Sequence, residues 1–203
     1  MRAFSVIIAA TLLLGCSGDK PPAWVRGASK LGNKWGHYSG YVEARWENDG
    51  RNMTVLSELR YTGPESVVWI APAGSVVDDA SILRPLWSLI GGPFEGKYRN
   101  ASVLHDVAYD QKTRPWQVCD RMFYNAMRCS GVSAVEAGTM YYALRKFGHH
   151  WKSPKAALVK VGEDIVARAE PVSQGDINAT RNWIRNSDPS LQQIEQRADA
   201  ESR

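Results

Sequence analysis

The chain has 203 residues, 44% of them hydrophobic and 23% charged, with a formal net charge of +4. That is enough for one domain with a real core plus tails. Basic residues are not gathered into a dense stripe interleaved with aromatics, so nucleic acid is excluded as a partner. The excess charge sits in residues 17–162, with 19 Lys/Arg against 13 Asp/Glu, whereas residues 163–203 carry 5 against 8. A modestly basic body suits an anionic membrane surface as well as it suits ordinary solubility.

In chain order, Arg2 supplies one positive charge, and Ala3 to Leu14 is an almost unbroken apolar run. It is shorter than the roughly 20 residues that a mature membrane-spanning helix needs, and it has the length of a signal-peptide core. Leu13-Leu14-Gly15-Cys16 resembles the lipobox of bacterial lipoproteins. The resemblance implies cleavage after Gly15 and a diacylglycerol- and palmitate-type anchor on Cys16, which would hold the protein to a membrane facing the periplasm. Ser17 in second position resembles signals that permit outer-membrane delivery. The alternative is an ordinary cleaved signal followed by an incidental cysteine. Residues 1–15 are thus read as a signal, 16–36 as a tether, 37–152 as a single domain and 153–203 as a helical or partly disordered extension.

Strand-like runs follow over Tyr38 to Trp46, Met53 to Tyr61 and Val67 to Ala71. Asn48 to Asn52 is a hairpin-type turn signal between the first two, and Thr62-Gly63-Pro64 separates the third. A Gly-, Pro- and Asp-rich stretch from Pro72 to Gly96 holds one short helical piece around Ile82 to Leu89. Helices are predicted over Arg99 to Gln111 and Pro115 to Cys129. A third is predicted from a Ser133/Glu136 capping box to Gly148, with Val135, Met140, Tyr141, Leu144 and Phe147 on its core face. Lys155 to Ala169 reads as a fourth helix. Beyond Pro171 the polar chain, broken again at Pro189, reads as a surface helix or a disordered tail. Strands first and helices after indicate an α+β fold: a small antiparallel β part, then a bundle of three to four helices. Cys119 and Cys129 lie on one predicted helix, about 15 Å apart along its axis. A disulfide, which needs Cα atoms within about 7 Å, is not expected between them.

The chemistry concentrates in His105-Asp106-Val107-Ala108-Tyr109. His105 and Tyr109 share a helix face, while Asp106 is turned about 100° away. The short connection over Lys112 to Pro115 makes the next helix an antiparallel neighbour. His105 and Asp120 then stand at equal distances from the turn and face each other. An Asp bonded to one ring nitrogen fixes the tautomer of a histidine and leaves the other nitrogen as a general base. The competing reading is a structural polar network between packed helices, because His105, Asp106, Tyr109 and Asp120 must satisfy one another if nothing else does. Asp78 and Ser81 fit an Asp-x-x-Ser helix-start cap, or else reach the His105 layer as supports. His149 and His150 are read as surface residues at a helix C-terminus, where the dipole favours a cation.

Two resemblances attach to these residues. Over residues 38–151, the segment Pro72 to Ile82, then Arg84, Trp87, Ala101 to Tyr109, Asp120, Phe123 and Gly131-Val132, resembles a domain of unknown function found in phages and bacteria. Its pattern approximates P-x-G-F-x-T-D-G-A-S-I-P-R, W, A-x-x-H-D-x-x-Y, A-D-x-x-F and G-V. Ser75, Val77, Asp79, Leu83 and Cys119 depart from it, while Asp78 and Ser81 keep it. The narrower likeness, of His-Asp-x-x-Tyr with an Asp on the partner helix, is to phospholipase A2 domains of bacterial and parvoviral type. It implies that His105 activates a water against an acyl ester and that Tyr109 and Asp120 orient the ring. It also implies that Asp106 binds a calcium ion with the backbone of a glycine loop. Ile90 to Gly96, with Gly91 and Gly92, is the candidate loop, though it departs from that family's pattern. The leading expectation is therefore a membrane-anchored phospholipase A2-like hydrolase with phospholipid as substrate. The rival is a non-catalytic phage, prophage or bacterial envelope lipoprotein that binds an envelope partner. An open cleft reaching His105 with one ring nitrogen free favours the first; a sealed ring with both nitrogens bonded favours the second.

Overall fold

The computed structural model describes residues 34–78, 81–90, 96–152 and 172–202. The expected signal, Cys16, the candidate loop residues Gly91 and Gly92, and the helix expected over Lys155 to Ala169 lie outside the described residues. The fold is α+β. Six short strands form two antiparallel sheets. One has the order β1 (His37–Ser39), β4 (Leu59–Thr62), β5 (Val68–Ala71); the other has β2 (Ala44–Trp46), β3 (Met53–Val55), β6 (Val76–Val77).

The first two strand-like runs are each divided between the sheets, which the alternation of apolar residues did not foretell. Gly40, at φ +87°, turns the chain between β1 and β2, a backbone conformation that side chains resist and glycine accepts. The second run is divided by Leu56–Glu58: the Leu56 amide donates to the Glu43 carbonyl at 2.7 Å, leaving β4 to pair with β1 and β5. The turn signal between β2 and β3 does form a hairpin. The Asp49 carboxylate accepts from the Arg51 and Asn52 amides, both at 2.9 Å, and β2 pairs antiparallel with β3. Period-2 burial holds within the strands, with Leu59 and Tyr61 of β4 buried and Arg60 exposed.

A 3-10 turn over Arg84–Leu86 runs into the four-residue α1 (Trp87–Ile90). Then come α2 (Arg99–Gln111), α3 (Trp116–Cys129) and α4 (Ala134–Phe147), close to their predicted bounds. Every residue of α2 from Asn100 to Tyr109 is buried, because the sheets cover one side of it and α3 another. A helix buried all round has no solvent face on which to leave polar side chains, so those it carries must find partners inside. Tyr38 of β1 donates to the Ala126 carbonyl at 2.9 Å and ties the first sheet to α3. Ser133 and Glu136 form the expected capping box on α4. Cys119 and Cys129 are buried free thiols.

The C-terminal residues form two further helices, α5 (Gln174–Ser187) and α6 (Leu191–Glu201), where a polar tail was the competing expectation. Each opens on a capping box, Ser173/Asp176 and Ser190/Gln193. Both pack on α4, burying Ile177, Ile184, Ile194 and Ala198. Full burial of one such isoleucine contributes roughly 1.5–3 kcal/mol, as an upper estimate. Ionic contacts add orientation: Arg145 makes a two-pronged contact with Asp199 at 2.6 and 2.8 Å, and Arg121 and Tyr141 both donate to Glu195. Gly138 permits the close approach, since a Cβ there would lie 3.2 Å from Ile194 Cδ1 and 3.5 Å from Ile184 Cδ1. Gly138→Leu should therefore cost roughly 1–3 kcal/mol by overpacking, read as a lower midpoint in urea and as earlier proteolysis of α5 and α6.

Glu201 adds a pH dependence. Burial pushes its carboxyl upward, but hydrogen bonds from Lys146, Tyr142 and Arg197 outweigh that and bring it down to about 2. A carboxyl depressed on folding contributes stability that is present above its ordinary value and lost as the pH falls through the depressed one. The melting temperature should therefore decline between about pH 4.5 and pH 2, and Glu201→Gln should shrink that decline.

Candidate functional site

Helices α2 and α3 bring His105 and Asp120 together as their spacing anticipates, with Nε2 of the ring 3.0 Å from Asp120 Oδ1. The Tyr109 hydroxyl donates to the same Oδ1 at 2.5 Å. Burial, and then the neighbouring Asp120, hold the Tyr109 hydroxyl well above its ordinary pKa, so it stays protonated and remains a donor. The imidazole lies against Tyr109 on one side and Phe123 on the other, with ring centroids 4.1 and 4.7 Å away. His105 and Asp120 are both 0% exposed, so no solvent screens their interaction. Asp120 places both of its bonds on Oδ1; its Oδ2 has no partner among the described residues.

The second ring nitrogen is also engaged. His105 Nδ1 lies 2.9 Å from Ser81 Oγ. Both ring nitrogens thus have protein partners and the ring has no exposed surface, so His105 does not face a water directly in this arrangement. Ser81 in turn donates from its hydroxyl, and more weakly from its amide at 3.4 Å, to Asp106 Oδ1. One chain of hydrogen bonds thus runs from Tyr109 through Asp120, His105 and Ser81 to Asp106. Asp78, two residues beyond the start of β6, meets the Arg51 guanidinium at 2.8 Å.

This chain ends at a cleft. A cavity of about 390 Å³ is lined by Val76, Val77, Asp78, Ser81, Asp106, Tyr109, Asp110, Lys112 and the segment from His149 to Trp151. It adjoins a second hollow of about 420 Å³, with which it shares Asp78 and His149 and to which Trp46, Arg84 and Trp87 contribute. Volumes in this range suit a small organic ligand. Of the buried chain, Ser81, Asp106 and the edge of Tyr109 reach the cleft, while His105 and Asp120 stand behind them.

Sequence spacing could not locate the far wall of the cleft. The residues after α4 fold back over the α2–α3 turn, where the Trp151 indole donates to the Arg114 carbonyl at 3.1 Å. His150 is not a surface cation at a helix end. It stacks on Trp116 with centroids 3.5 Å apart, and burial lowers its pKa. No local motif carries that placement, because it depends on where α4 ends relative to α2.

The expected calcium site pairs Asp106 with the backbone of Gly91 and Gly92, which lie outside the described residues. Asp106 spends Oδ1 on Ser81, and among the described residues no group of three or more His, Cys, Asp or Glu side chains is arranged to hold a metal ion.

Known proteins bear on the same stretch. Residues 53–144 match the family described as "Protein of unknown function (DUF1353)", a span that contains Asp78, Ser81, His105, Asp106, Tyr109 and Asp120. The uncharacterized protein y4jT of Sinorhizobium fredii (strain NBRC 101917 / NGR234) is 42% identical over 95 residues, which are 47% of this chain and 28% of that protein. The uncharacterized protein y4iH of the same strain is 31% identical over 103 residues, or 51% of this chain and 43% of that protein. The chain thus spans less than half the length of these curated relatives. No solved structure matches. Neither the family description nor the relatives' names carry an activity, and the likeness to phospholipase A2 has no counterpart among them. What the chain carries over residues 53–144 is a domain similar to a bacterial family of unknown function, with the His105 layer inside it.

Proposed function

We propose that this chain is a lipoprotein held at the periplasmic face of an envelope membrane through Cys16, and that its domain hydrolyses acyl esters of phospholipid at the cleft. The base is the His105–Asp120 pair, acting on the cleft through Ser81. The observation that carries this reading is the unbroken hydrogen-bonded path from a dry carboxylate–imidazole pair to the wall of an open cavity. A buried His–Asp pair is costly unless its partners satisfy it, and here the chain of partners reaches the cavity wall at Ser81 and Asp106. The modestly basic body supports an anionic surface as the setting. Among the described residues no helix is long and apolar enough to cross a membrane, so Cys16 is the feature that would hold the domain there.

A second reading has its own observation. The ring is sealed and both nitrogens are bonded to protein, the arrangement expected of a structural network and not of a histidine that activates water. On that reading the domain binds an envelope partner and performs no chemistry.

Fatty-acid release from phospholipid vesicles separates the two. Wild type should release fatty acid, with His105→Gln and Asp120→Asn slower by about 10²–10⁴-fold, the usual contribution of a general base. Each variant's melting curve, measured alongside, shows whether it folds. Parallel arms with calcium and with a chelator decide the role of Asp106: release lost with the chelator assigns it a calcium ion, and equal rates remove that role. Release at the blank level from folded wild type under every condition would leave the binding module standing. The anchor is tested separately: Cys16→Ser should move the protein from the membrane fraction to the soluble fraction in a bacterial host and remove fatty-acid labelling.

A further inference from the structure

We propose that Ser81 is a nucleophile, and that the cleft processes carboxylic acyl esters through a covalent acyl-serine on Ser81 Oγ. This rests on the hydrolytic reading above and replaces water by Ser81 as the group that attacks first.

The geometry has the required order of parts: a nucleophile within hydrogen-bond reach of a base, and a base held by a third group. Ser81 Oγ lies 2.9 Å from His105 Nδ1, and His105 Nε2 lies 3.0 Å from Asp120 Oδ1. In the resting protein both nitrogens are bonded inside the fold and the Ser81 hydroxyl stands between the ring and the cleft. Asp120 also decides the tautomer. Its Oδ1 accepts from the Tyr109 hydroxyl and from the ring. An ionised carboxylate in that position keeps the ring proton on Nε2, so the lone pair of Nδ1 points at Ser81. Tyr109 and Phe123 against the ring hold its plane. Ser81 itself is partly exposed and lines the cleft.

Ser81 Oγ bonds to the acyl carbon as its hydroxyl proton passes to His105 Nδ1. The tetrahedral adduct collapses, the bond to the alkoxy oxygen breaks, and that oxygen takes the proton from Nδ1 and leaves as an alcohol. Acylation removes the Ser81 hydroxyl that faced Nδ1 in the resting protein; a water entering from the cleft at that point attacks the acyl carbon and gives its proton to Nδ1. The carboxylic acid departs, and Ser81 recovers its proton.

Asp106 sets how readily this begins. Its Oδ1 also accepts from the Ser81 hydroxyl, and one hydroxyl proton cannot serve two acceptors at once. An ionised Asp106 therefore competes with His105 for it. An uncharged amide in its place is a weaker acceptor and competes less for the hydroxyl proton.

The test uses the full chain, a fluorophosphonate probe and a p-nitrophenyl acyl ester, with intact mass and peptide mapping as readouts. A single adduct on Ser81 of wild type is expected. Ser81→Ala should give none, Asp120→Asn should label at least tenfold more slowly, and Asp106→Asn should label at least as fast as wild type. Mapping the wild-type adduct makes the result independent of how any variant folds. Ester hydrolysis with no adduct, or an adduct on a different serine, would overturn the nucleophile while leaving the hydrolase standing. Neither hydrolysis nor adduct would remove both.

Discussion

The centre of this molecule is an imidazole with no exposed surface, and much else is arranged to make that tolerable. An unpaired polar group in the interior costs free energy on the order of 1–3 kcal/mol, and more if it is charged. His105 avoids that penalty by bonding to Asp120 and Ser81 at once. Asp120 is held in place by Tyr109. Removing one member leaves the others facing apolar side chains, so the layer behaves as a unit. The same dryness gives it chemical potential, because a carboxylate and an imidazole act on each other most strongly where no solvent screens them.

That requirement accounts for the layering around α2. The helix must be covered on all sides for the layer to be dry, and two small sheets and α3 provide the cover. Ser81 comes from the irregular segment after β6 and completes the layer from outside the helices. Being on a connection, it faces the cavity, together with Asp106 and Tyr109. Loops on a rigid scaffold commonly carry the groups that meet ligands. Helices α5 and α6 stand farther off and stabilise α4 on its other face. Their contribution to the cleft is indirect: α4 fixes where the chain re-emerges at His149 to Trp151, and that segment closes the cleft.

Both readings of the domain use this one layer, and they differ in the part given to Ser81. As a structural residue, it caps the network and shields the ring from solvent. As a nucleophile, it is the point at which the network reaches a ligand. The similarity of residues 53–144 to a family of unknown function leaves the choice to chemistry.

Local rules were enough for features set by residues close together in the chain. The bounds of α2 and α3, the capping box on α4, the turn at Asn48 to Asn52 and the meeting of His105 with Asp120 all follow from helical periodicity and short connections. The capping boxes at Ser173 and Ser190 were equally readable, but few apolar residues follow them, and composition argued for a tail. What the packing faces supply is the burial of Ile177, Ile184 and Ile194, and three isoleucines among polar residues do not reveal a partner helix until that helix is placed. The division of each early strand run between two sheets is decided by pairing across the fold, which alternation along the chain does not encode. The same limit applied to the ring. Helix spacing put a carboxylate on one nitrogen, and a place for Ser81 in the layer was only one of two readings of its segment; its contact with the other nitrogen was not legible, because Ser81 lies 24 residues before His105 and no periodicity links a loop to a helix face. The sequence by itself determined that a histidine and an aspartate would meet between two helices. Only the tertiary structure decided that the ring would be sealed and that a serine would stand between it and the cleft, since closing a distant loop over a helix depends on the whole packing of the chain.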